Sequence, residues 1–139
     1  MAQTPFDFEV ITPEGSSFRG RVVALRLQGK QGSFGVLAHH APLIAVLDAG
    51  VVRAQGEDGR SRAFAAGDGF VEVRPNGVRV LVDFCNTKEQ IDVARAEKAK
   101  QRAQARLKER DSKVDHARAE ASLRRATVRL STSQWSGLD

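Results

Sequence analysis

Glycine and proline are distributed so unevenly that the chain must contain two different kinds of structure. All four prolines and eleven of the twelve glycines precede residue 86, and only Gly137 follows it. Because these residues end regular elements and form turns, the first part must consist of short, often interrupted segments. The second part, residues 87–139, has no proline and is rich in Ala, Lys, Arg and Glu, which favour uninterrupted helix.

The first part carries the two-residue alternation of half-buried strands. Residues 6–10 place Phe and Val on one side and acidic residues on the other. Turn sequences then separate further short apolar segments, and the strongest of these is Pro75-Asn76-Gly77 between two alternating valine segments. Many short strands with frequent turns predict an all-β antiparallel sandwich or barrel over residues 1–86.

Two helices are predicted after residue 86. Thr87 and Gln90 have the spacing of a capping box, and the chain from there to Arg110 contains no helix breaker. Asp111 or Ser112 can cap a second helix that continues to about Leu130. A tight connection between two such helices predicts an antiparallel hairpin.

The predicted hairpin has a thin apolar stripe dominated by alanine. Burial of one methylene-sized group contributes only ~0.8 kcal/mol, so the helices would form readily but hold each other weakly. Such a hairpin could open without losing its helices, which is the property of a switch. Asp115 is expected in the first turn of the second helix. The residues predicted to face each other are Ile91, Ala94, Ala99, Ala103 and Leu107 on the first helix, and Val114, Ala117, Ala121 and Val128 on the second.

The excess positive charge is confined to this hairpin. Residues 1–86 contain nine basic and nine acidic residues, whereas residues 87–139 contain 13 basic and 8 acidic residues, which is the whole net charge of +5. A basic arm suits a solvated surface, an acidic protein partner or nucleic acid. Nucleic-acid binding is favoured by aromatics among the cations, but the only one here is Trp135, beyond the last predicted helix. A nucleic-acid-binding module with a basic helical arm is therefore the alternative function.

No catalytic constellation, metal site or required cofactor is predicted from the sequence. The glycines within residues 29–35 lack the spacing of a phosphate loop and precede a strand. His39 and His40 are adjacent, so in an extended segment they point in opposite directions, and His116 supplies no evident third ligand. Cys85 is the only cysteine, which excludes an internal disulfide. No apolar run approaches the ~20 residues of a membrane span, so we expect membrane association only through a protein partner.

Three ordered motifs carry a family resemblance over essentially the whole chain. Residues 32–44, GSFGVLAHHAPLI, match the pattern G-x-(F/L)-G-(V/I)-x-x-x-H-A-P-L. Residues 67–83 are similar to G-G-(F/I)-x-E-V followed by V-x-V-L-x-D, with Asp68 in place of a frequent second glycine. Residues 91–96, IDVARA, match (I/L)-D-x-x-R-A. The chain thus resembles the epsilon subunit of the rotary proton-translocating ATP synthase, which is called delta in mitochondria.

The resemblance implies a sandwich of about ten strands, residues 1–86, and a regulatory helical hairpin, residues 87–139. It implies a non-catalytic rotor subunit that couples the alpha/beta catalytic head to the membrane c-ring through the gamma subunit. Such a subunit would be peripheral on the cytoplasmic face of the bacterial inner membrane. The edge expected to face gamma and the c-ring comprises Gly29, Lys30, Gln31, Gly32, Ser33, His39, His40, Ala41, Pro42 and Leu43.

The resemblance also implies that the hairpin takes two positions. Folded against the sandwich it permits ATP synthesis, and extended along gamma it blocks rotation in the hydrolytic direction. In the extended position its cations would meet an acidic segment of the catalytic beta subunits. The residues expected at that contact are Arg102, Arg106, Lys108, Arg110, Lys113 and Arg118.

A regulatory ATP, with or without Mg²⁺, is the one ligand that the resemblance implies. Asp92 is expected to hold the adenine or ribose, while Arg95, Arg125 and Arg129 are expected to hold the phosphates. The alternative is that Asp92 and Arg95 only anchor the first helix to the sandwich. The complete set of expected ATP-site residues is Ile91, Asp92, Arg95, Ala96, Arg125 and Arg129.

Overall fold

The structure is a computed structural model that describes residues 3–110 and 115–137. Within these residues nine strands are followed by a short 3₁₀ helix and two α-helices. The strands are β1 (Phe6–Thr12), β2 (Gly15–Gly29), β3 (Gly32–Val36), β4 (Leu43–Leu47), β5 (Gly50–Gly56), β6 (Ser61–Ala66), β7 (Gly69–Arg74), β8 (Gly77–Val82) and β9 (Cys85–Thr87). The helices are the 3₁₀ helix Lys88–Gln90, α1 (Val93–Lys108) and α2 (His116–Ser133).

Strand β2 belongs to both layers of the sandwich. Its first part pairs antiparallel with β1, from Val22 back to Gly15, and its later part pairs with β3 and β5. From β1 the sheet continues through β8 and β7 to β4, with β1 and β8 parallel. From β5 it continues to β6 and β9. The predicted fold class, an all-β sandwich followed by a helical hairpin, is confirmed.

Large apolar side chains from both layers fill the space between them. Phe8 of β1 and Phe64 of β6 are each 1 % exposed, and their ring centroids are 6.3 Å apart. Phe18 completes this aromatic group, 5.0 Å from Phe64. Val10 is buried beside Phe8 in the predicted alternation. Burial of several aromatic rings makes this core the main stabilising feature of the fold.

Helix α2 packs on the outer face of β5 and β6. The residues of β6 point alternately to its two faces. Phe64 and Ala66 point into the core between the layers, whereas Ala63 and Ala65 do not. Ala63 and Ala65 are nevertheless 5 % and 0 % exposed. Since successive side chains of a strand point to opposite faces, these two alanines lie beneath the helix. Their small size lets α2 approach the strand closely.

The predicted capping box of Thr87 and Gln90 is present, but the prediction of one uninterrupted helix from there to Arg110 is wrong. The Gln90 side chain accepts a 2.9 Å hydrogen bond from the Thr87 amide, but only the 3₁₀ helix Lys88–Gln90 follows. Ile91 and Asp92 are extended, and the Asp92 carboxylate accepts a hydrogen bond from the Arg95 amide at 3.1 Å. The cap of the long helix α1 thus lies five residues later, at Asp92.

Helix α2 begins with Asp115 as its cap and continues to Ser133. The Asp115 carboxylate accepts from the Arg118 amide at 3.0 Å, so this residue precedes the first turn rather than lying in it. The two predicted caps, Asp111 and Ser112, lie outside the described residues. No helix in the described ranges is long and apolar enough to cross a membrane.

The predicted facing stripe is partly correct. Ala103 and Val128 are buried, whereas Ala94 and Ala117 are exposed. Ala94 lies two residues, about 200°, around the helix from Ala96, which lies on the buried side. The other expected residues are half-buried, except Val114, which is outside the described residues. The residues buried in the helices are Ala96, Ala103, Ala119, Ala126, Val128, Leu130 and Thr132.

Candidate functional site

A cavity of about 410 Å³ lies where the two helices meet the end of the sandwich. All six residues that the sequence predicts for a nucleotide site line it: Ile91, Asp92, Arg95, Ala96, Arg125 and Arg129. The remaining lining residues are Asn86, Gln90, Ala99, Arg102, Ser122 and Ala126.

Helical periodicity aims these side chains at one space. On α1, Arg95 and Arg102 are seven residues apart, which places them on the same face two turns from each other. On α2, Ser122, Arg125 and Arg129 follow at spacings of three and four residues. Because α1 and α2 pack together, the two faces form opposite walls of the cavity.

The cavity is strongly electropositive. Its lining contains four arginines and one carboxylate, Asp92. Burial lowers the pKa of Arg129 from its ordinary value, and the neighbouring charges of Arg125 and Arg95 lower it further, against the opposing effect of Asp83. Cations that disfavour one another's charge in this way are stabilised by a bound anion.

Arg129 also connects α2 to the sandwich. Its Nε donates a 2.9 Å hydrogen bond to Oδ1 of Asn86, and its guanidinium lies 4.3 Å from the centroid of the Phe84 ring. Arg125 donates to the Ser122 hydroxyl at 3.1 Å. Both guanidinium groups are therefore oriented by protein partners while they line the cavity.

Asp92 has a structural role that the sequence analysis did not assign to it, as the N-cap of α1. One carboxylate oxygen caps α1 through the Arg95 amide. This contact fixes the start of the helix and thereby the direction of the Arg95 side chain. A contact between Asp92 and an adenine or ribose stays a prediction.

Sequence reasoning missed several residues of the cavity. Arg102 was assigned only to a subunit contact, although its seven-residue spacing from Arg95 places it on the cavity face. Ser122 could have been found in the same way from Arg125. Asn86 has no local signal, because β9 reaches the cavity only through its pairing with β6.

The described residues on either side of the connection between α1 and α2 include several exposed cations. The expected contact residues other than Lys113 are exposed, whereas Lys113 lies outside the described residues. His116 joins the two helices near this connection, since its Nε2 lies 3.0 Å from the Glu109 carbonyl oxygen. The exposed cations of the set are Arg102, Arg106, Lys108, Arg110 and Arg118.

The expected partner-facing loops lie beside β4. The turn between β2 and β3 is Lys30-Gln31, and the Lys30 amide donates to the Val46 carbonyl at 3.2 Å. In the loop before β4, His39 has a positive φ of 65°, and Nδ1 of His40 donates to the Ala41 carbonyl at 2.8 Å. The first bond ties the β2–β3 turn to β4, whereas the second orders the loop before β4 internally.

An exposed apolar surface continues from these loops. Ile44 is 74 % exposed and Val46 57 %, and the register pairs Val46 with Phe70 on β7. Of this surface the sequence analysis had assigned only Leu43 to a partner contact, because an apolar strand residue is ordinarily assigned to the core. Several large apolar side chains exposed in one region of a surface indicate a protein contact. The apolar patch is defined by Leu37, Leu43, Ile44, Val46 and Phe70.

Comparison with known families covers both parts of the chain. Residues 5–87 match the family model described as ATP synthase, Delta/Epsilon chain, beta-sandwich domain. Residues 89–134 match the model described as ATP synthase, Delta/Epsilon chain, long alpha-helix domain. The chain belongs to the ATP synthase delta/epsilon family. Membership favours the rotor-subunit interpretation of the sequence over the nucleic-acid module.

Relatives of the delta/epsilon family match over most of their length. The ATP synthase epsilon chain of Syntrophomonas wolfei is 40 % identical over 134 residues, covering 96 % of this chain and 98 % of the relative. The epsilon chain of Symbiobacterium thermophilum is 46 % identical over 122 residues, 87 % of each chain.

A solved structure supports the fold. A chain in the Euglena gracilis mitochondrial ATP synthase OSCP/F1/c-ring structure has a TM-score of 0.76 at 23 % identity, with 89 % of this chain and 77 % of that chain covered.

Proposed function

We propose that this chain is a central-stalk rotor subunit of ATP synthase that catalyses no reaction itself and whose helical hairpin regulates ATP hydrolysis. The observation that carries the proposal is the cavity with four arginines at the joint between hairpin and sandwich. A ligand there touches both helices and the end of the sandwich, so its binding is coupled to hairpin position. The complex would hold the subunit at the cytoplasmic face of the bacterial inner membrane.

The partner-facing surface is the edge formed by loops 29–33 and 38–43 together with the apolar patch. The apolar patch suits a stable contact with gamma, because its burial removes large apolar side chains from water. The two loops carry polar groups such as Lys30 and His40, which suit the polar loops of the c-ring.

The regulatory ligand is ATP held in the folded hairpin. Arg95, Arg125 and Arg129 would bind the phosphates, and Arg102 lies on the same wall as Arg95. Ile91, Asp92 and Ala96 lie at the N-terminal end of α1, where the adenine and ribose would be held, with or without Mg²⁺ on the phosphates. Bound ATP would relieve the mutual repulsion of the arginines and so favour the folded hairpin.

Calorimetric titration with ATP tests this site. Arg125→Gln should weaken binding by about tenfold or more, because it removes one charge-assisted contact. Arg124→Gln is the matched control, since the neighbouring Arg124 is exposed and lies outside the cavity lining. No heat with the unaltered chain at millimolar ATP, or equal weakening by both substitutions, would remove ATP from the proposal.

Co-purification with gamma tests the docking surface. Ile44→Asp and Val46→Asp should each reduce the amount of gamma retained, because a carboxylate in an apolar contact loses its hydration. Val93→Asp is the control, since Val93 is also exposed but lies on α1. Full retention of gamma by the Ile44 and Val46 variants would exclude the apolar patch as the contact.

The assembled complex tests the inhibitory role of the hairpin tip. Replacing Arg106 and Arg118 with Gln should raise ATP hydrolysis, because the extended hairpin would lose cations that face the beta subunits. Replacing Lys98 and Arg124 with Gln changes the charge equally away from the tip. Equal hydrolysis in both double variants would argue against the assigned contact.

A further inference from the structure

The segment that follows α2 is attached to the point where the chain leaves the sandwich. Lys88 Nζ donates a hydrogen bond of 2.6 Å to the Trp135 carbonyl oxygen, across 47 residues of sequence. Lys88 begins the 3₁₀ helix directly after β9, whereas Trp135 follows the C-terminal end of α2. The bond therefore closes a ring that contains both helices of the hairpin.

The Trp135 side chain lies against the sandwich rather than in solvent. It is half-buried and lies between two surface grooves. One groove is formed by the outer face of β2, β3 and β5, and the other by β6 and the 3₁₀ helix. Gly137, with a φ of 85°, turns the chain back so that a Cβ there would lie 3.8 Å from the indole.

This attachment is separate from the cavity lined by Arg95, Arg102, Arg125 and Arg129, which we call the arginine cavity. Trp135 and Lys88 are absent from the lining of that cavity. Arg129 lies about one helical turn before the end of α2, whereas Trp135 lies beyond that end. Arg129 also contacts Asn86 and Phe84, so α2 is tied to the sandwich at two levels. The cavity is lined by Gln90 of the 3₁₀ helix, but by neither of the two residues that form the Lys88–Trp135 bond.

We propose that Lys88 and Trp135 form a base latch that sets how readily the hairpin leaves the sandwich, independently of the nucleotide. The proposal rests on the proposed function only in that hairpin movement is regulatory. α2 cannot separate from the 3₁₀ helix without breaking this hydrogen bond and exposing the indole. The latch thus sets the equilibrium between the folded and the extended hairpin in the absence of ligand. A ligand in the cavity shifts that equilibrium further.

Hydrogen exchange of the full chain without nucleotide tests the base latch. Lys88→Met keeps the length of the side chain but removes the donor. It should accelerate exchange of the α2 amides by about three- to tenfold, the effect of losing one hydrogen bond of this kind. Lys98→Met is the control, since Lys98 is an exposed lysine of α1. Equal α2 exchange in the unaltered chain and in Lys88→Met would overturn the proposal.

Intrinsic fluorescence gives a second readout. The chain contains one tryptophan and no tyrosine, so the fluorescence excited at 295 nm comes from Trp135 alone. Lys88→Met should shift the emission to the red and increase quenching by acrylamide. Trp135→Ala should accelerate α2 exchange at least as much as Lys88→Met. Unchanged exchange of the core strands shows that the sandwich is intact in each variant.

Addition of ATP separates this proposal from the nucleotide proposal. If both hold, saturating ATP slows α2 exchange by the same factor in the unaltered chain and in Lys88→Met. If ATP has no effect while Lys88→Met still accelerates exchange, the base latch stands and the nucleotide site fails. If ATP slows α2 exchange but Lys88→Met leaves the exchange rate without ATP unchanged, the base latch is excluded.

Discussion

Different interactions stabilise the sandwich and the hairpin. The interior of the sandwich contains large side chains from both layers, including the rings of Phe8, Phe18 and Phe64. The buried residues of the helices are mainly alanine, and each buried methyl group contributes only ~0.8 kcal/mol. The helices instead depend on good intrinsic propensity, on Asp caps and on a few polar ties to the sandwich.

This difference teaches that one chain can contain a rigid part and a part that opens on its own. Regions with few large apolar contacts open locally at a lower free energy than the global unfolding of the core. On the sandwich side α2 covers the small residues Ala63 and Ala65, and on its own side it buries few large side chains, Val128 and Leu130. We therefore expect the hairpin to open at a lower free energy than the sandwich unfolds.

The largest effect should come from the aromatic core. Phe64→Ala removes a ring that is 1 % exposed and should lower the free energy of unfolding by about 3–5 kcal/mol. Urea unfolding followed by circular dichroism measures this loss. Phe70→Ala, at a ring that is 40 % exposed, is the control and should cost far less. Similar losses in both variants would contradict the assignment of the core.

A smaller and more local effect is expected in α2. Leu130→Ala removes one of the few large buried side chains of the hairpin, at a cost of about 2 kcal/mol, the low end for such a truncation. Hydrogen exchange should show faster exchange in α2 and unchanged protection in β7 and β8. If the core strands lose protection to the same extent, the two parts unfold together and the comparison fails.

Loss of the α2 cap should have a still smaller effect. Asp115→Ala removes the acceptor for the Arg118 amide and should destabilise the helix by about 1 kcal/mol. The exchange of the first-turn amides of α2 measures it. Glu120→Ala, at an exposed position within the same helix, is the matched control. An equal effect of both substitutions would mean that the Asp115 cap does not stabilise α2.

The smallest effect concerns a surface pair of the sandwich. The Arg62 side chain, followed by the Arg60 amide, lowers the pKa of Asp58 from 3.8 to about 2. A carboxylate with a lowered pKa stabilises the fold above pH 3.8, and this contribution is lost as the pH falls towards 2. Arg62→Gln should raise the pKa of Asp58 towards 3.8, as measured by NMR titration. Arg60→Gln retains the amide donor and should raise it less, so an equal rise would contradict the assigned cause.

The sequence was sufficient for the features that depend on local pattern. Alternation in residues 6–10 and the Asn76-Gly77 turn predicted strands correctly, because both signals lie within a few residues. Part of the arginine cavity was also predicted, since the motif at residues 91–96 and the helical spacing of Arg125 and Arg129 identify six of its lining residues.

Features that depend on tertiary contacts could not be predicted in this way. The start of α1 was misplaced because Thr87 and Asp92 both satisfy the local rules for a cap, and only the complete structure selects Asp92. Asn86 reaches the cavity through strand pairing, and Lys88 meets Trp135 across 47 residues. Most of the apolar patch was missed because local pattern does not distinguish an apolar residue in the core from one on the outer face.

Strand β2 gives this molecule a particular mechanical property. One continuous stretch of backbone runs from the layer of β1 into the layer of β3, β5 and the overlying helices. Torque applied at either layer therefore reaches the other through covalent bonds, and not only through side chains that could slide past one another. We therefore expect the two layers to move as a single block under an applied torque.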